Sequence, residues 1–226
     1  MLLSRILIDP RCKEVRRDLS NPYELHSTLC RAFSLPEEKV QPSCFLWRLE
    51  PETTIEGFSK ILIQSTKMPI WDRIGIPGWF GTLPDPPVDL TSRLNLDHLQ
   101  VGQNFRYRLQ ANPSKMQKGK RLGLLQVIDQ ERWLSRKGEE CGFALPKSSM
   151  FDLTGDDGTP RPDVQITQER MLSGKRRDDT TISIFSVSYD GILTITDPMK
   201  FRDALEHGVG HGKVFGLGLL SVVPVS

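Results

Sequence analysis

The sequence predicts an α+β protein made of two tandem ferredoxin-like (RRM-like) domains with antiparallel sheets. The first half reads strand, helix, strand, strand, and the second half gives strand, helix, two strands, helix, strand. The length of 226 residues leaves room for two cores of about 100 residues each. The boundary is placed near residue 95, giving domains at 1–95 and 96–226.

In the first half, Leu2 to Ile8 is a short apolar strand stopped by Asp9-Pro10. The basic run from Arg11 to Asp18 is a solvated loop or a phosphate contact. Asn21 then serves as an N-cap, Pro22 suits the first helical position, and Glu24 is expected to complete a capping box. Leu25, Thr28, Leu29, Ala32 and Phe33 fall on one helical stripe facing the core. Tyr23, His26 and Cys30 share another arc, so a phenol and an imidazole leave the helix start together. Cys44–Leu49 and Lys60–Gln64 read as strands. The segment from Trp71 to Pro87, rich in glycine and proline, reads as irregular, so the second helix and fourth strand of this half have no clear signal.

The second half opens on the alternating strand Phe105–Ala111, stopped by Asn112-Pro113. A basic loop, Ser114–Arg121, carries Lys115, Lys118, Lys120 and Arg121. Gln126–Lys137 is helical, with Val127, Ile128, Trp133 and Leu134 on its apolar side. Val164–Leu172 and Thr180–Ser188 flank a hairpin tip with three adjacent cations, Lys175, Arg176 and Arg177. Asp197-Pro198 caps a helix over Met199–His207. Five glycines then fall within eleven residues, Gly208, Gly210, Gly212, Gly216 and Gly218, around Lys213, before a last apolar strand. Such a loop offers exposed amides and a cation to an anion, or is a flexible turn. It lacks G-x-x-x-x-G-K-[ST] and leads into a strand, which sets nucleotide fingerprints aside.

Net charge is +2, so any basic surface is a local patch. Four scattered cysteines, Cys12, Cys30, Cys44 and Cys141, contain no C-x-x-C pair, so neither a zinc site nor a disulfide framework is expected. The N-terminus lacks signal-peptide character, and no stretch approaches a membrane span. A soluble cytoplasmic protein without metal or cofactor is expected. His26, His98, His207 and His211 are the four histidines, with no metal-ligand spacing among them. G-x-S-x-G is absent.

What remains is metal-free acid–base chemistry, for which His26 with Tyr23 is the leading pair. RNA carries its own nucleophile, the 2′-hydroxyl, so a nuclease need only move protons and stabilise negative charge. Imidazole suits the first task; Tyr23 and a cation, either Arg31 or a residue of the glycine loop, suit the second. Arg16, Arg17, the 115–121 stretch, residues 175–177 and Lys213 together make a track for nucleic acid. The aromatic pattern lacks the RNP motifs, which points to structured RNA held by its backbone.

The segments Arg16–His26, Leu46–Glu50, Phe105–Pro113 and Gly208–Val222 resemble, in order, those of CasE-type CRISPR endoribonucleases of the type I-E system. The last also resembles the glycine-rich loop of the wider repeat-associated RNA-binding superfamily. The resemblance implies a metal-independent cut at the 3′ base of the CRISPR repeat hairpin, leaving 2′,3′-cyclic phosphate and 5′-hydroxyl ends. It implies that the chain stays on the mature crRNA as a Cascade subunit, beside the complex's backbone RNA-binding subunit, and is a monomer outside it. Tyr23 and His26 take the family's catalytic positions. Arg31 stands where some members have lysine, which limits it to electrostatics. An inactive hairpin-binding clamp in the same complex is the alternative.

Overall fold

The computed structural model describes residues 1–34, 44–147, 161–176 and 178–225. The chain forms two compact units: Met1–Asn95 with Leu172–Ser183 and Gly212–Leu217, and Leu96–Met171 with Ile184–His211 and Gly218–Ser226. The division expected near residue 95 was contiguous; in the structure the hairpin tip and part of the glycine loop belong with the first unit.

In the first unit, strand β1 (Leu2–Ile8) pairs antiparallel with β3 (Ser59–Ser65), and β3 pairs with β2 (Phe45–Thr53). A two-residue strand β4 (Val88–Asp89) adds to the other edge of β1, giving the order β2-β3-β1-β4. This is the ferredoxin-like strand order, with a vestigial fourth strand. The second helix, between β3 and β4, is likewise reduced to a single 3-10 turn at Trp71–Ile74, and a four-residue helix α3 (Leu90–Arg93) follows β4; neither is long enough to carry an apolar period.

Alternation along the strands puts Ile6, Ile8, Ile61 and Ile63 into one core with Leu25, Leu29 and Trp79. The stripe Leu25, Thr28, Leu29, Ala32 and Phe33 is buried throughout. It belongs largely to helix α2 (Pro22–Cys30).

The basic run is neither a loop nor a free patch. It folds as helix α1 (Lys13–Ser20), with Val15 and Asp18 buried and Arg16 and Arg17 exposed. Arg16 donates to the carbonyls of Pro10 (3.0 Å) and Arg11 (2.7 Å), and Arg17 to Asp18 (2.7 Å). The capping box is also replaced. Because α1 runs straight into α2, the Asn21 amide bonds the Arg17 carbonyl (3.2 Å), and Glu24 lies 3.6 Å from Arg17 Nε instead of reaching back.

In the second unit the order is β11-β5-β10-β8, again ferredoxin-like, with β9 also paired to β10. Its strands are β5 (Asn104–Ala111), β8 (Phe143–Ala144), β9 (Val164–Lys175), β10 (Thr181–Ile195) and β11 (Leu220–Pro224). The helices are α4 (Val127–Glu140) and α5 (Pro198–His207). Trp133 and Leu134 are buried as expected, but Val127 is exposed. Gln130 takes an inward position, donating to the carbonyl of Leu124 at 3.1 Å and to Glu169 at 2.7 Å. The expected basic loop is a hairpin of β6 (Ser114–Gln117) and β7 (Lys120–Gly123). Its two turn residues, Lys118 (φ 48°) and Gly119 (φ 76°), are both left-handed, which suits a tight hairpin. Among the described residues no helix is long and apolar enough to cross a membrane.

Asp18 is the most demanding polar group of the first unit. It is fully buried and accepts from Trp79 Nε1 at 2.9 Å as well as from Arg17. Asp18→Ala leaves the indole N–H buried without an acceptor, so the urea midpoint should fall by the equivalent of about 2–3 kcal/mol. A change below measurement error would show that this bond is not needed.

Candidate functional site

Helix α2 starts on Asn21, whose Oδ1 accepts from the Tyr23 amide at 3.2 Å. The same side chain reaches the hairpin tip between β9 and β10. Its Nδ2 donates to the Lys175 carbonyl (2.8 Å) and its Oδ1 accepts from the Lys175 amide (3.2 Å). One carboxamide thereby pairs with a backbone as a strand neighbour would. Gly174 allows the approach: a Cβ there would lie 2.8 Å from Tyr23 Cδ2 and 3.2 Å from Phe215 Cε1. The Tyr23 and Phe215 rings meet edge to face, with centroids 5.1 Å apart.

These three segments enclose a cavity of about 460 Å³. Helix α2 lines it with Tyr23, Glu24, His26, Ser27 and Cys30, the hairpin tip with Lys175, Arg176 and Asp178, and the glycine loop with Val214. A neighbouring groove of about 520 Å³ shares Glu24 and Lys175 and adds Arg17, Ser20, Asn21, Ser173, Gly174 and Thr181.

His26 is held firmly. Its ring stacks on Phe45, centroids 5.2 Å apart at 26°, and its Nδ1 accepts from Trp47 Nε1 at 3.3 Å. Burial lowers its pKa to about 4, so the ring is neutral at pH 7. Burial also pushes the Cys30 thiol up to about 11, which leaves it an un-ionised wall of the cavity.

The sequence-predicted residues separate into those the structure gathers and those it does not. Tyr23, His26, Lys175 and Arg176 line one cavity. Arg31 does not line it; its Nη1 donates to the Ile74 carbonyl at 3.2 Å. Lys213 lines neither cavity, although its neighbour Val214 does. Arg177 lies outside the described residues. Arg16 is tied to backbone carbonyls, while Arg17 lines the second groove. Lys115, Lys118, Lys120 and Arg121 sit exposed on the β6–β7 hairpin of the other unit. His207 Nδ1 lies 2.9 Å from Asp203 on its own helix.

Six amides of the glycine loop are bonded within the protein. Within the first unit Phe215 and Leu217 donate to the Gly212 carbonyl and Gly216 to that of Lys213. Within the second, Gly208 donates to Ala204, Val209 to Gly218, and Gly218 to Gln110. Glycine serves geometry here: Gly216 adopts φ 75°, and a Cβ on it would lie 2.8 Å from the Trp47 ring. Gly210 (φ 79°) is similarly close to Trp133, at 3.2 Å.

Four contributors escaped sequence reasoning: Trp47, Asn21 as a cross-link, Gly174 and Asp178. Only Trp47 left a trace, as an aromatic in a strand that packs on helix α2. Among the described residues no group of three or more histidine, cysteine or acidic side chains is placed to hold a metal ion.

A family model described as CRISPR associated protein matches residues 1–224. The chain belongs to that family. It is 36% identical over 231 residues to the CRISPR-associated endoribonuclease Cse3 of Thermus thermophilus, covering 99% of this chain and all of that one. It is 29% identical to the Cascade subunit CasE of Escherichia coli, with both chains covered in full. Among solved structures, Thermus thermophilus Cse3 bound to an RNA representing a pre-cleavage complex superposes with a TM-score of 0.76 at 35% identity, over 99% of this chain and 98% of that one. Escherichia coli Cas6e superposes with a TM-score of 0.66 at 25% identity, over the full length of both.

Keeping a histidine neutral in this position has a stability cost on the acid side. His26 has a folded pKa of about 4, below its ordinary 6.5, so its contribution is intact above pH 6.5. It is lost as pH falls from 6.5 toward 4. Urea titrations should show stability declining over that window by about 1–3 kcal/mol, and His26→Leu should remove that part of the decline. An identical decline in the variant would assign it to other groups.

Proposed function

We propose that this chain is an endoribonuclease that cuts CRISPR repeat hairpin RNA at the 3′ base of its stem and stays on the product as a Cascade subunit. The observation that carries the reading is the cavity itself, where Tyr23 and His26 face Lys175 and Arg176. The names of the family relatives supply the substrate class.

The chemistry follows from the groups present. The ribose 2′-oxygen attacks the adjacent phosphorus, the bond to the 5′-oxygen breaks, and one proton passes overall from the 2′-hydroxyl to the departing oxygen. The products are a 2′,3′-cyclic phosphate and a 5′-hydroxyl. His26 exchanges a proton or hydrogen bond with a reacting oxygen, and the Tyr23 hydroxyl orients the phosphate. Lys175 and Arg176 offset the charge that builds on the phosphoryl oxygens, a role Arg31 is not placed to fill. No step requires a metal. The exposed cations of the β6–β7 hairpin are assigned to the RNA backbone.

A second reading, a hairpin clamp without catalysis, is favoured by one feature: the His26 ring is largely buried and already bonded to Trp47. Incubation of repeat hairpin RNA with the protein in EDTA, followed by end-group analysis, separates the two. Cyclic phosphate ends are expected; RNA retained uncut would establish the clamp.

His26→Ala should lower single-turnover cleavage about 10²- to 10⁴-fold with little change in hairpin affinity. Unchanged cleavage would remove His26 from the reaction. Arg176→Ala should lower cleavage and also weaken binding, reducing the salt dependence of affinity by about one ion. An unaltered salt slope would place Arg176 off the RNA.

A further inference from the structure

The cavity's histidine has a buried neighbour whose chemistry limits what it can do. We propose that Trp47 is a positioning residue for the reaction: its indole N–H holds His26 as the neutral tautomer with the proton on Nε2, making Nε2 the working nitrogen. This rests on reading the cavity as the cleavage site.

Indole Nε1–H only donates, so the 3.3 Å bond to Nδ1 requires a lone pair on that nitrogen. An imidazolium carries N–H on both nitrogens and would set two donors against each other. The bond therefore selects the neutral ring, and of its two tautomers the one protonated at Nε2. The lowered His26 pKa agrees in direction.

Trp47 is fixed on several sides. It is 3% exposed and pairs across the sheet with Ile63. Gly216 approaches its ring so closely that a Cβ would lie 2.8 Å from Cζ3. The His26 ring is in turn stacked on Phe45. Packing on both rings holds the hydrogen bond in place.

The remaining groups around His26 do not impose a tautomer. Helix α2 contributes Glu24, Tyr23, the Ser27 hydroxyl and a Cys30 thiol that stays protonated; the hairpin tip contributes Lys175, Arg176 and Asp178; the glycine loop contributes only Val214. Two carboxylates face two cations. Strand β2 meets the ring through Phe45 and Trp47, so Trp47 is the one directional contact to a ring nitrogen among these. In consequence Nδ1 does not serve as the base, and RNA meets His26 through Nε2 as a hydrogen-bond donor.

The test replaces Trp47 site-specifically with β-(3-benzothienyl)alanine, which keeps the bicyclic shape and substitutes sulfur for N–H. Trp47→Phe is the companion variant. With ¹⁵N-labelled histidine rings, the unaltered protein at pH 7 should show His26 protonated at Nε2 alone. The isostere should show a mixture of tautomers, and its His26 titration midpoint should move up toward 6.5. Single-turnover cleavage should fall about tenfold or more, with hairpin affinity unchanged. A His26 ring protonated at Nδ1 or charged in the unaltered protein would overturn the proposal, as would an isostere that leaves tautomer, midpoint and cleavage as they were. Absence of cleavage by the unaltered protein would sink the functional reading alone, since the ring spectra report on Trp47 without turnover.

Discussion

The site depends on one side chain acting as backbone. Asn21 caps helix α2 and exchanges two hydrogen bonds with Lys175, 154 residues away in the chain. A capping residue normally satisfies amides of its own helix. Here the second use of the same carboxamide ties the helix start to the hairpin tip, and Gly174 gives up its side chain so that Tyr23 and Phe215 can close in. Without that tie, Tyr23 and His26 would still leave α2 together, but Lys175 and Arg176 would have no fixed place beside them.

Such a pairing is invisible in sequence. Asn21 followed by Pro22 announces a helix start, and the 3–4 spacing of Tyr23, His26 and Cys30 gives their common arc, because both rules are local. The repeated strand and helix order was legible for the same reason, down to Asp197 capping α5. The failures are equally physical. The basic run 11–18 hides a two-turn helix because so short an element shows only Val15 and Leu19 on its apolar side. The 114–121 stretch hides a hairpin because both its strands are polar outside and the turn signal is a lysine in the left-handed region. The reduced β4 and α3 are too short for any period to show.

The glycine loop teaches a different lesson. Its composition suggested amides presented to an anion, yet six of them donate within the protein. Glycine at 216 admits the Trp47 ring and adopts a left-handed φ, two needs that no other residue meets together. The same composition thus served packing, and its functional effect is indirect: it lets Trp47 sit where its N–H reaches His26.

Several arginines are committed to partners within the protein. Arg17 is shared between Asp18 and Glu24, Arg16 caps carbonyls, Arg161 pairs with Glu131 at 2.6 Å, and Arg202 with Asp97 at 2.6 Å. A guanidinium committed to a buried carboxylate must give up that partner before it binds a phosphate, and the carboxylate left behind has no water to turn to. Arg17 against the fully buried Asp18 and Arg161 against the 6% exposed side chain of Glu131 are the clearest cases. A cation that does face a carboxylate is therefore given up to a polyanion most readily where that carboxylate is itself exposed. Lys175 meets that condition: its partner Asp179 is 85% exposed, so water replaces the lysine at little cost when a phosphate arrives. The hairpin tip is thus the part of the first unit whose charge is both placed beside His26 and free to be exchanged.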